Sequence, residues 1–157
     1  VYDIGWKPTH FLTNISNSVR SVMQPAGSEK GVGIMSAGFL KDSTDPQWHD
    51  TPEYKEWLAW MKKYNSSANV ADAGAVYGYS AAQTMVTVLK ACGDDLTREN
   101  IMKQAASIHD MKLPMLLPGI TPSTSADDFA PIKQMQLQNF DGTTWRPFGE
   151  VLSGSGN

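Results

Sequence analysis

Hydrophobic and polar positions change their spacing several times along this chain, and each change marks an element. In Gly31–Gly38, GVGIMSAG, the residues Val32, Ile34 and Met35 sit among small residues and glycines. That pattern predicts a buried strand. The chain then turns polar through Lys41-Asp42-Ser43-Thr44-Asp45-Pro46. A strand that ends in a polar loop and hands over to a new element is where α/β proteins place ligand sites. Upstream, His10 to Thr13 reads as a short strand entered at Pro8. A helix from about Asn17 to Gln24 follows, capped by Ser16 or Asn17. Val19, Val22 and Met23 hold its buried face, and Pro25-Ala26-Gly27 ends it.

Downstream the period is helical. Thr51-Pro52-Glu53 is a helix start, and Tyr54, Trp57, Leu58 and Met61 follow at one-face spacing. A second helix spans about Ala73 to Cys92, with Val76, Tyr79, Gln83, Val86 and Leu89 or Lys90 near one face and Gly93 as its stop. Thr97 caps a third helix to about Ser107, with Ile101, Met102, Ala105 and Ile108 inward. Pro114, Pro118, Pro122 and Pro131 make residues 111–131 extended. The end reads as a hairpin, Lys133–Phe140 and Thr143–Val151, joined by a two-residue Asp141-Gly142 turn. The tail Ser153–Asn157 reads as frayed.

Composition narrows the function classes. With 157 residues, 41% of them hydrophobic and 18% charged, the chain can build a folded core. A net charge of -3 without a basic cluster argues against a sequence-independent nucleic-acid partner. No apolar run reaches the roughly 20 residues of a membrane span, and Val1-Tyr2-Asp3 opens without Met or a leader-like run. Cys92 is the lone cysteine, so no internal disulfide forms.

Candidate chemistry is sparse. The run Thr13, Asn14, Ile15, Ser16, Asn17 follows a strand and opens a helix, whose free amides suit an anion; the plainer reading is a capping loop. Phe39 either walls a ligand or packs in the core. Lys41 either faces a carboxylate or, the reading preferred here, holds a hinge salt bridge. Gly78-Tyr79-Ser80-Ala81-Ala82, with His109 and Asp110 downstream, has the outline of a nucleophile elbow. No strand precedes Ser80, however, and Ala82 stands where the second glycine belongs. Tyr79 reads as a packed aromatic at a cleft edge. His10, His49, His109 and Cys92 lack metal-ligand spacing. Gly31-Val32-Gly33 lacks the rest of a dinucleotide fingerprint, so no metal or cofactor is expected. Asn14-Ile15-Ser16 and Asn65-Ser66-Ser67 fit the glycosylation sequon, a pattern common by chance.

Five motifs in order carry a resemblance. They are FLKDSTDPQW at Phe39–Trp48, YGYSAAQ at Tyr77–Gln83, CGDDLTREN at Cys92–Asn100, LLPGI at Leu116–Ile120, and QMQL at Gln134–Leu137 with Phe140-Asp141-Gly142. Together, from about Gly5 to Val151, the chain resembles the solute-binding proteins of ABC transporters, in the branched-chain amino acid-binding (Leu/Ile/Val-binding, type I) family. The resemblance implies an α/β fold: a fragment of a two-lobed type I periplasmic binding protein, with parallel-sheet lobes and flanking helices, ending in a β-hairpin. Residues 1–38 would belong to lobe 2, 39–128 to lobe 1, and 129–157 would return to lobe 2.

The resemblance further implies capture of a small organic solute in the periplasm for uptake through a membrane permease. The ligand-binding residues would be Thr13, Asn14, Ile15, Ser16, Phe39 and Tyr79. Branched-chain amino acid binders carry an acidic residue near the first of these positions, which holds the ligand's ammonium group. Here Asn14, Ile15 and Ser16 stand instead, and an uncompensated ammonium is costly to bury. An aromatic or aliphatic carboxylate fits better than an amino acid-like compound. The fragment should pair with the missing N-terminal half or self-associate as a dimer. A sensing domain of the same fold, a fragment without binding of its own, and a hydrolase using Ser80 are the alternatives.

Overall fold

The C-terminal hairpin supplies two of the three strands of the sheet. The computed structural model describes residues 1–154; the expectation of a frayed tail falls partly on 155–157, outside the described residues. Strands β1 (Met35–Gly38), β2 (Gln134–Phe140) and β3 (Trp145–Ser153) form an antiparallel sheet in the order β1-β2-β3. Phe140 pairs with Trp145 and Gln138 with Pro147, and the register shifts between Gln136 and Gln138. Such a bulge bends the strand it interrupts. Ser153 closes β3, and the Gly154 amide donates to Lys133 O at 2.7 Å, so these two residues are held.

The turn is wider than an Asp-Gly pair. The Asp141 amide donates to Thr144 O at 3.1 Å. Asp141 Oδ1 accepts from the Thr143 and Thr144 amides, both at 2.8 Å. A short carboxylate mimicking a backbone turn recruits those two residues into the loop. Gly142 supplies the left-handed φ of 99° that this loop needs.

Parallel pairing appears on the far edge of β1. The Met35 amide donates to His10 O at 2.9 Å and the Leu12 amide to Met35 O at 2.8 Å. The predicted strand His10–Thr13 is reduced to this bridge, Phe11 to Met35. The described sheet itself is antiparallel because the hairpin dominates it. The predicted strand from Gly31 also starts late. Ser28–Gly31 is a 3-10 turn, Gly33 has φ 87°, and Val32 is 59% exposed rather than buried.

Between the bridge and β1 the chain is helical but irregular. Asn14–Ser16 is a 3-10 turn, Val19–Met23 a π-helical turn, and α1 a single turn, Gln24–Ala26. The cap is Ser18, whose Oγ accepts from the Ser21 amide, rather than Ser16 or Asn17. Val19 and Met23 pack beneath Phe140 and Trp145, as their spacing predicts.

The remaining helices are α2 (Pro46–His49), α3 (Pro52–Tyr64), α4 (Ala73–Cys92) and α5 (Arg98–Ala105). Thr51 caps α3 and Pro52 opens it; Tyr54, Trp57 and Met61 are buried on one face. Asp72 caps α4 through the Gly74 amide at 2.8 Å. The buried residues of α4 are Val76, Tyr79, Ser80, Val88 and Cys92, while Val86 and Leu89 are exposed, against expectation. The face turns because the C-terminal half of α4 packs on Ile101, Ala105 and Ile108 rather than on α3. Thr97 caps α5, which stops at Ala105, and Met102 points outward.

Residues 106–133 hold no regular helix or strand among the described residues, yet they supply core. Met115 joins Trp57, Met61, Val76 and Tyr79, and Leu116, Leu117 and Ile120 make a separate cluster. A single antiparallel bridge, Leu40 to Leu116, ties this segment to the crossover. No helix among the described residues is long and apolar enough to cross a membrane.

Candidate ligand cleft

Where β1 ends, the chain opens a cleft. Its walls come from three places: Asn14, Asn17 and Ser18; the crossover Gly38–Asp42 with Asp45, Gln47 and Trp48; and the hairpin residues Gln138, Trp145 and Pro147. Ala73 and Leu117 complete it.

The crossover is hydrogen-bonded to residues 115–117 and within its own loop. The Lys41 amide donates to Met115 O at 2.9 Å and the Leu117 amide to Phe39 O at 2.8 Å. Asp42 Oδ1 accepts from the Thr44 amide at 2.8 Å and the Thr44 hydroxyl at 2.7 Å. Asp45 caps α2 through the Gln47 amide at 3.0 Å, and its second oxygen accepts from the Gln47 carboxamide. The Tyr54 hydroxyl donates to Ser43 O at 3.2 Å. Burial raises the pKa of that hydroxyl, and the Asp42 charge raises it further, so it stays protonated as a donor.

On the other wall, the Trp145 indole N–H donates to Asn17 O at 2.7 Å. The Asn17 carboxamide donates to Ser36 Oγ at 3.3 Å. The apolar part of the cleft combines the aromatic Phe39, Trp48 and Trp145 with Leu40, Leu117 and Pro147. A cleft of this kind, with a few polar groups set among aromatic walls, binds small organic molecules.

The six sequence-predicted residues are split by the fold. Asn14 and Phe39 line the cleft. Thr13 and Ser16 flank Asn14 on the 3-10 turn and are not among the cleft-lining residues, and Ile15 is 86% exposed. Tyr79 lies on α4 beside Trp60, with ring centroids 5.2 Å apart, away from the cleft walls. Burial, then the Glu56 charge, raises the pKa of its hydroxyl.

Asn17, the end of the predicted polar run, lines the cleft as well, while sequence reasoning missed Trp48, Gln138 and Trp145 as wall residues. Gln138 carried a signal. It stands two residues before the fully buried Phe140 on a strand, and so on the same face. A polar side chain on a core-facing position is the informative exception.

A family model described as periplasmic binding protein matches residues 11–144. The chain belongs to the periplasmic binding protein family. Its members are binding proteins rather than enzymes. In keeping with that, Ser80 is buried in mid-helix with its hydroxyl donated to Val76 O at 3.0 Å, not exposed on an elbow.

The fold is similar to that of a branched chain amino acid ABC transporter protein from Thermus thermophilus, solved with bound valine. That match has TM-score 0.76 at 15% identity, over 98% of this chain and 41% of the other. A possible leucine/isoleucine/valine-binding protein from Rhodopirellula baltica matches with TM-score 0.68 at 11% identity, over 94% of this chain and 37% of that one. A Pseudomonas fluorescens group protein described as an ABC transporter permease matches with TM-score 0.60 at 16% identity, over 92% and 37%. This chain therefore spans about two-fifths of the length of these solved structures. No curated protein matches it in sequence.

Proposed function

We propose that this chain is the C-terminal part of the solute-binding component of an ABC transporter, which captures a small organic carboxylate outside the cytoplasmic membrane and presents it to a permease. The observation that carries this reading is the cleft itself, whose walls come from two separately cored parts of the chain. Val19 and Met23 pack with Phe140 and Trp145, whereas Trp57, Met61, Val76, Tyr79 and Met115 form a distinct core. That separation supports a division into 1–38 with 129–157 as one lobe and 39–128 as part of the other. A cleft between two such bodies can close by hinge motion at the crossover.

The ligand class follows from the wall chemistry. The turn Asn14–Ser18 presents amides and hydroxyls and no carboxylate. Asp42 and Asp45 are engaged in capping their own loop. A carboxylate with an aromatic or aliphatic body meets the aromatic walls without an ammonium group to neutralise. The remainder of the periplasmic binding protein, or failing that a second copy of this chain, would cover the apolar surface that α3 and α4 leave exposed.

Isothermal titration of the intact protein that carries this chain, with benzoate and with leucine, tests the reading. Tighter binding of benzoate is the expected result. Tighter binding of leucine overturns the ligand class, and binding of neither overturns the solute-binding role.

A further inference from the structure

We infer that Lys41 and Gln138 together anchor the ligand's carboxylate, an assignment that rests on the solute-binding reading of the cleft and names its charge-reading pair. Both side chains line the cleft, and each residue is only 7% exposed. Among the described residues neither side chain makes a hydrogen bond. The nearest carboxylate to Lys41 Nζ is Glu53 Oε2 at 4.0 Å, an ionic contact beyond hydrogen-bond reach, and Glu53 is itself about half exposed. The Trp48 ring lies 5.3 Å from the ammonium and supplies attraction without accepting a directed bond.

An ammonium has three donors, and a carboxamide has two donors and an acceptor. The polar ends of both side chains stay open to solvent in the cleft, where an acceptor from outside can reach them. The partner must be an acceptor for the ammonium. The two other acidic groups of the wall are committed: Asp42 to Thr44, and Asp45 to Gln47. A ligand carboxylate has two oxygens, enough to take one donor from each of Lys41 and Gln138.

The backbone makes room for this arrangement. A Cβ at Gly38 would come within 3.0 Å of Gln138 Nε2 and 3.1 Å of its Oε1. With no Cβ at Gly38, the Gln138 carboxamide rests close against β1 without having to shift. Gln138 comes from the hairpin and Lys41 from the crossover, so a carboxylate held by both would tie the two bodies of the cleft together. Glu53 is then the resting counter-ion that the ligand displaces.

Titration calorimetry on the intact protein with benzoate and its neutral isostere benzamide tests the pair. Lys41→Met keeps the buried stem and removes the charge; it should weaken benzoate at least about tenfold and leave benzamide within about threefold. Gln138→Glu places a second negative charge beside the ligand and pairs internally with Lys41. It should abolish benzoate binding while the melting temperature holds or rises, which separates lost binding from lost folding. Unchanged benzoate affinity in both variants overturns the anchor and leaves the solute-binding reading standing. Failure of the unmodified protein to bind benzoate, benzamide or leucine overturns both, whereas binding of leucine alone overturns the anchor and leaves the solute-binding role standing.

Discussion

The indole N–H of Trp145 and the carbonyl oxygen of Asn17 lie 2.7 Å apart, a hydrogen bond between residues separated by 128 positions in the chain. It fixes the hairpin against the turn that opens the cleft. Trp145 stacks on Phe140 at 5.2 Å between ring centroids, so one side chain both fills the core and ties down the wall. Trp145→Phe keeps an aromatic ring but loses the donor and part of the indole's volume. The expected cost is about 1–2 kcal/mol, read from urea denaturation. No loss of stability would show that water replaces the bond without penalty.

Thr51 does double duty at the start of α3. Its hydroxyl accepts from the Tyr54 amide at 3.3 Å and donates to Trp48 O at 2.7 Å. Thr51→Ala should cost about 1–2 kcal/mol in chemical denaturation. Thr51→Ser should recover most of it, since the hydroxyl is the working group.

Trp57 is 0% exposed and sits among Tyr54, Met61, Val76 and Met115. Trp57→Ala should destabilise by about 3–5 kcal/mol, through lost burial and the cavity left behind. A loss under about 1 kcal/mol in denaturant titration would mean that the surrounding helices collapse into the space.

Asp141 gives the fold an acid-sensitive turn. The Thr144 amide holds its carboxyl below the usual carboxylate range; burial opposes this in part, and the Thr143 amide and Arg146 add to it. A depressed folded-state pKa stabilises the fold above the unfolded value of about 3.9, and that contribution is lost as pH falls through the folded value. Asp141→Asn should therefore melt below the parent at neutral pH. The gap should close as pH drops below about 4. A gap that stays constant down to pH 2.5 would assign the effect to turn shape rather than charge.

Helices α3 and α4 leave large apolar side chains exposed. Tyr64, Tyr77, Met85 and Val86 on α3 and α4 are each about half exposed or more. Surface of this kind is usually covered. The 157-residue chain by itself should run larger than its 17.2 kDa in light scattering. A monodisperse monomer with one cooperative melt would show that the chain needs neither another half nor another copy.

Much of the local architecture was legible in the sequence. Thr51 and Thr97 cap where their position before a helical period says they should, and Gly93 stops α4. These features depend on groups within one turn of each other. The face of α4 was read less well. Its first half packs on α3 and its second on α5, so no single period describes it, and Val86 lies outside while Ser80 lies inside. The strand at Gly31 was read too long because Gly33 takes a left-handed φ that hydrophobic spacing does not encode.

The candidate site divides in the same way. Phe39 and Asn14 were identified from the residues and the resemblance, and both line the cleft. Tyr79 is packed, as expected, but beside Trp60 on α4 rather than at this cleft.

By itself the sequence determined the three long helices, the caps of α3 and α5, the C-terminal hairpin and the resemblance to the periplasmic binding protein family, because each is written in neighbouring residues or in the order of motifs. Only the tertiary structure decided which side chains share a cleft. Lys41 lies on the crossover and Gln138 on β2, and their facing the same cleft depends on β2 pairing with β1 and on Phe39–Lys41 pairing with Met115–Leu117. Pairings between distant segments arise from packing and backbone hydrogen bonds that no local spacing records.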